Sequence, residues 1–151
     1  MLDDFINANK LEAKLVSAEH EVRGKKKVAS LAEVPEENVI KVILYNGSDN
    51  QYFLAVLPAY KKADLEKLCA LQDCEQAMEI EEDETEEITG YSKGAIPPIS
   101  VYGIELFVDK SVMRLDKVAC LAADEKTVLV ISPNEIIESA WQEPRVEEIT
   151  K

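Results

Sequence analysis

Histidine occurs once in this chain of 151 residues, at His20. A histidine-based triad would rest on that single imidazole, and a lone histidine is more often structural than catalytic. Cysteine occurs three times, at Cys69, Cys74 and Cys120. The odd number and the lack of metal-ligand spacing point to reduced thiols in a cytoplasmic protein, not to a disulfide framework or a zinc site. Glycine is sparse, and no phosphate-cradling loop of the Walker or dinucleotide type occurs, which argues against a nucleotide hydrolase or a dehydrogenase. Apolar runs such as Thr127 to Ile131 are far too short to cross a bilayer. Met1-Leu2-Asp3-Asp4 is acidic where a secretory leader is basic, so neither a leader nor a membrane partner is expected. Basic residues are the telling shortage: 17 Lys and Arg stand against 30 Asp and Glu, a net charge of −13. That field repels polyanions, excludes DNA as a partner and confines any RNA contact to a local patch.

What is present describes a single domain over residues 1–151, long enough to bury its own core. Leu2, Phe5, Ile6 and Leu11 share one face of an expected N-terminal helix. Alternation from Lys14 to Val22 predicts a strand that carries His20. Arg23-Gly24-Lys25-Lys26-Lys27 is the one basic cluster, fit either for a phosphate backbone or for a solvated turn before a short helix at Val28 to Ala32. Val39 to Tyr45 and Gln51 to Leu57 form an expected hairpin about Asn46-Gly47-Ser48-Asp49-Asn50. Lys41 stands out on the first of these strands, where its ammonium either reaches back to solvent or enters a cavity.

An amphipathic helix follows at Ala63 to Leu71, then a short strand near Gln76 to Ile80. The seven carboxylates between Glu79 and Glu87 suit a helix start better than an ion site. That helix is expected to stop at Gly90, where the stiffened loop Thr89 to Gly103 begins, holding three glycines and the pair Pro97-Pro98. Strands at Ile104 to Val108, Lys117 to Leu121 and Thr127 to Ile131 come next. Ser132-Pro133-Asn134-Glu135 then opens a helix that carries Ile136, Ile137 and Ala140, with Trp141 near its end. Pro144 is expected to close the regular structure and leave a frayed tail. Hairpins mixed with helical connections give an α/β fold with a mixed, largely antiparallel central sheet flanked by helices.

No carboxylate pair has a spacing that marks it for acid–base work. Any enzyme built from these residues would depend on positioning and backbone electrostatics. The strand Val39-Ile40-Lys41-Val42-Ile43-Leu44, the segment Thr89-Gly90-Tyr91 with Gly94-x-x-x-Pro98, and the strand ending Phe107-Val108-Asp109 occur in that order. Together with Val128 to Ile136, this set resembles the YbaK and prolyl-tRNA synthetase associated editing-domain family, over roughly Lys14 to Ser139. The resemblance implies a YbaK-like α/β fold and hydrolysis of the ester that joins a mischarged amino acid to tRNA. It implies a free-standing form, because 151 residues leave no room for a synthetase. The alternative is a non-catalytic module of the same fold that binds tRNA ends or a synthetase.

By the same resemblance Lys41 is the functional lysine, and Gly94, Ala95 and Ile96 supply N–H groups to the reacting ester, since Pro97 and Pro98 have none. His20, Tyr91, Pro98 and Ser100 are expected on the substrate, and Arg23, Lys25, Lys26 and Lys27 on the tRNA. The expected partners are the acceptor end of an aminoacyl-tRNA and an aminoacyl-tRNA synthetase; no cofactor and no metal are expected. Two segments differ from the family's pattern. A turn often rich in glycine reads Ala122-Ala123-Asp124-Glu125-Lys126, and Gly94-Ala95-Ile96-Pro97-Pro98 replaces Gly-Gly-Val-Ser-Pro.

Overall fold

The computed structural model describes residues 2–48 and 51–151. Asp49 and Asn50 of the expected hairpin turn lie outside the described residues. Its two arms form as the alternation predicts. Strand β2 (Ile40–Asn46) runs antiparallel to β3 (Tyr52–Pro58), with Lys41 opposite Leu57 and Asn46 opposite Tyr52. β3 is buried almost end to end, so its sequence is a continuous apolar run without alternation.

The strands divide into two sheets. Five strands stand in the order β4 (Met78–Glu79), β2, β3, β5 (Glu105–Asp109), β8 (Arg145–Glu147), antiparallel on the β2 side and parallel from β3 to β5 to β8. Three more form an antiparallel sheet in the order β1 (Lys14–Ser17), β7 (Thr127–Ile131), β6 (Val118–Leu121). A single parallel bridge from Val39 to Ala119 joins the two. The expected central sheet is therefore two sheets, one mixed and one antiparallel, with the main core between them. Leu44, Val56 and Val108 of the larger sheet meet Val118, Leu129 and Ile131 of the smaller, together with Leu2, Phe5 and Ile6 of α1 (Leu2–Ala8).

Outside the small sheet lies α2 (Lys25–Ala32), which packs Val28, Ala29 and Ala32 on Val128 and Val130. Outside the large sheet lies α3 (Leu65–Gln72), whose fully buried Leu68 contributes about 1.5–3 kcal/mol by burial. Helix α4 (Glu82–Thr89) ends at Gly90 in the left-handed conformation, as expected. Helix α5 (Pro133–Glu138) starts at Ser132, whose side chain accepts the Glu135 N–H.

Three expectations are corrected. Strand β1 stops at Ser17 because its partner β7 begins opposite, at Thr127, so His20 sits on an exposed bend beyond the strand. Helix α5 ends before Trp141, whose indole N–H donates to the Ile104 carbonyl 2.9 Å away. The tail is not frayed: β8 pairs with β5, Ile149 is fully buried, and Thr150 bridges Ala63. Asp109 clasps this tail, its carboxylate accepting the N–H of Ile149 at 2.9 Å and the N–H and hydroxyl of Ser111.

Candidate functional site

Strand β2 builds the site because one of its edges is only partly covered. Pairing with β4 begins at Tyr45, and the Ile80 N–H takes the Leu44 carbonyl. Antiparallel alternation puts the N–H and C=O of Val42 on the same edge, without a strand partner among the described residues. Along this edge lies a cavity of about 300 Å³, closed by Gly24, Lys25 and Val28 of the α2 start, by Cys120 and Leu121 of β6, and by Lys93, Gly94 and Ile96 of the long loop. Its walls are mostly aliphatic, and its charged groups are Lys25, Lys41, Lys93 and Glu79.

Lys41 reaches this cavity half-buried. Burial lowers its pKa from the usual lysine value, and the Lys25 and Lys62 charges lower it further against the opposing pull of Glu79. The Glu79 carboxylate is itself held by Lys93, Nζ to Oε2 2.7 Å, so an ion pair spans the cavity from β4 to the loop. Cys120 is buried in the wall and burial pushes its thiol up to about 12. It stays protonated near neutrality and is no nucleophile there.

The loop is anchored by its apolar half and exposes its glycine half. Ile96 and Ile99 enter the main core, and Pro97 and Pro98 are buried. Ser92 to Ala95 make a turn closed by the Ala95 N–H on the Ser92 carbonyl, with Gly94 at φ +91°, the sign a type II turn requires at its third residue. A Cβ at Gly94 would meet nothing within 4 Å. The glycine therefore serves the dihedral and not a close approach. Because the turn consumes the Ala95 N–H, Ala95 is removed from the expected donors. The N–H groups of Gly94 and Ile96 have no partner among the described residues. The Ala95 carbonyl accepts from Ala123 at 2.9 Å, tying the loop to the β6–β7 turn.

Lys25, Lys41, Gly94 and Ile96 thus come together on one cavity. Lys26 and Lys27 lie exposed on the first turn of α2 beside it. Arg23 lines an adjoining cleft, its guanidinium 2.7 Å from Glu21. Tyr91, Pro98 and Ser100 do not line the cavity. Tyr91 is buried with its hydroxyl 3.4 Å from Ser100, while Pro98 and Ser100 border a separate void of about 20 Å³ under Tyr102 and Trp141. His20 is exposed and lines neither. Sequence reasoning passed over Lys93, although it adjoins Gly94, and over Glu79, which the acidic run conceals.

A family model described as the aminoacyl-tRNA editing domain matches residues 19–138, most of the chain. The chain belongs to that family. Two curated proline–tRNA ligases are similar to the editing domain. One, from Lactobacillus delbrueckii subsp. bulgaricus, is 30% identical over 109 residues, covering 72% of this chain and 19% of the ligase. The other, from Lactobacillus acidophilus, is 29% identical over 100 residues, covering 66% and 18%. The editing domain thus spans about a fifth of the length of these relatives.

Among solved structures, a crystal structure described as a candidate trans-editing enzyme for prolyl tRNA synthetase superposes with a TM-score of 0.88 at 16% identity, covering 99% of this chain and 94% of that one. The crystal structure of a hypothetical protein, APE2540, gives 0.88 at 23% identity, covering 99% of both. Both likenesses establish the fold.

Proposed function

We propose that this editing domain acts in trans as an aminoacyl-tRNA deacylase, hydrolysing the ester of a mischarged tRNA. The observation that carries the reading is that Lys41, Gly94 and Ile96 line one largely aliphatic cavity. At about 300 Å³ it is at the lower end of small-molecule sites, large enough for an aminoacyl group. Its aliphatic wall desolvates the ester, and the N–H groups of Gly94 and Ile96 serve the oxygen that becomes negative when water adds to the carbonyl carbon. As the new C–O bond forms, the carbonyl π electrons move onto that oxygen; when the carbonyl re-forms, the ester C–O bond breaks and the departing ribose oxygen takes up the proton that water loses. The protonated amine of Lys41 holds the terminal phosphate at the cavity mouth, fixing the ester against the loop. The lysines at the start of α2 receive the acceptor strand.

The test is a panel of mischarged tRNAs incubated with the purified protein, with ester loss followed over time. At least one substrate is expected to be deacylated faster than in buffer, with kcat/KM falling by about a hundredfold in Lys41→Ala. Buffer-level loss across the panel, or full activity in the variant, would overturn the reading.

A further inference from the structure

An aminoacyl group seated in the cavity directs its attached nucleotide outward, and two openings adjoin it. One is the cleft at Arg23, which also presents Glu21 and Glu125. Arg23 is engaged by Glu21, and the two carboxylates lie close enough for Glu21 to raise the pKa of Glu125. Its charged residues, Glu21, Glu125, Arg23 and Lys93, cancel, so that cleft offers a phosphate no net attraction. The other is an open groove of about 390 Å³ that shares Lys41, Ile43 and Glu79 with the cavity and extends it to Lys62, Leu65 and Met78. Here the one carboxylate, Glu79, is held by Lys93, so Lys41 and Lys62 leave the groove positive in a chain of net charge −13. Leu65 and Met78 are 38% and 63% exposed, two large apolar side chains offered to solvent beside those lysines.

We propose that this groove binds the last nucleotides of the RNA 3′ end, a base lying on Met78 and Leu65 and a phosphate at Lys62. The inference rests on the deacylase reading for the identity of the strand, and on the groove itself for the chemistry. An apolar platform flanked by cations is what an unpaired nucleotide requires: a flat face to cover and a phosphodiester to neutralise. The platform is also held ready. The Lys62 carbonyl accepts the Lys151 N–H, Ala63 bridges Thr150, and the Asp64 N–H donates to Ile149 at 2.7 Å. The C-terminal tail therefore fixes the backbone under Lys62 and Leu65 before any ligand arrives, which lowers the ordering cost of binding.

The experiment uses the whole chain labelled with 13C at the methionine methyls. Met78 stands in the groove and Met113 packs against the core as an internal control. Titration with the uncharged trinucleotide cytidylyl-cytidylyl-adenosine is expected to move the Met78 methyl saturably and leave Met113 in place. Free adenosine monophosphate should need about a tenfold higher concentration, lacking a second phosphate contact. Lys62→Glu, at an exposed side chain, should weaken the trinucleotide and lower the slope of log affinity against log salt by about one. With a mischarged tRNA it should raise KM and leave kcat unchanged.

A Met78 methyl that does not respond, or responds equally to adenosine monophosphate, overturns the groove as an RNA-end site. Hydrolysis of mischarged tRNA with unaltered KM in Lys62→Glu overturns the groove while the deacylase stands. A Met78 response without hydrolysis of any tRNA keeps the groove and removes the deacylase.

Discussion

Ala123 holds a φ of +76°, in the left-handed region, and its N–H is the tether that binds the loop at Ala95. An alanine there costs roughly 1–2 kcal/mol, against about 0.5–1 kcal/mol for the extra freedom a glycine loses on folding. Ala123→Gly is therefore expected to stabilise the protein by about 0.5–1 kcal/mol and raise its thermal midpoint by about 1–4 °C, read by calorimetry. The sequence displayed Ala122-Ala123 where the family favours glycine, but only the backbone tells which of the two adopts positive φ.

Lys41 was legible as a charge on an apolar strand; its neighbours were not, because Lys62, Lys93 and Glu79 reach it through tertiary structure. Since the proposed role needs the ammonium, and its pKa is lowered, kcat/KM should fall on the alkaline side at lower pH than an ordinary lysine would dictate. Glu79 pulls that pKa upward. Removing its charge in Glu79→Gln should shift the alkaline limb of the pH–rate profile to lower pH still.

Among the elements, α2 breaks a local rule. Lys25, Lys26 and Lys27 crowd its first turn, the positive end of the helix dipole, with no acid there and no side-chain cap at Gly24. Natural sequences accept such conflicts mainly at functional places. Lys26→Glu should raise stability by about 0.5 kcal/mol in denaturant titration while weakening tRNA binding. A loss of stability with unchanged binding would make the cluster a solvated turn. The glycine loop was readable from its punctuation, but the turn hydrogen bond that spends the Ala95 N–H was not. Strand β8 escaped notice for a different reason: three half-buried residues between Pro144 and a run of glutamates carry no periodic signal. They become a strand only because the edge of β5 is there to pair with.

At the scale of the molecule, the mixed α/β class followed from the order of hairpins and helices. The division into two sheets did not, since pairing between distant segments leaves no local trace. Asp109 shows how the pieces are bound. Burial works to raise its pKa, but hydrogen bonds from Ser111 and Ile149 outweigh it and hold the carboxyl below the usual value. A carboxyl with a depressed folded pKa stabilises the native state above about pH 3.9, and that contribution is lost as pH falls through the folded value. Asp109→Asn should cost about 2–3 kcal/mol near neutrality and flatten the acid side of the stability profile, measured by urea unfolding at a series of pH values.

The antiparallel partnership of β1 with β7 sets the timing of the molecule. One wall of the site is a sheet whose first strand lies far along the chain from the other two. Val130 must be made before Lys14 can pair with it, and closing so long a loop slows folding. Until then α2 has no sheet to rest on, and the wall that carries Lys25 is not yet built.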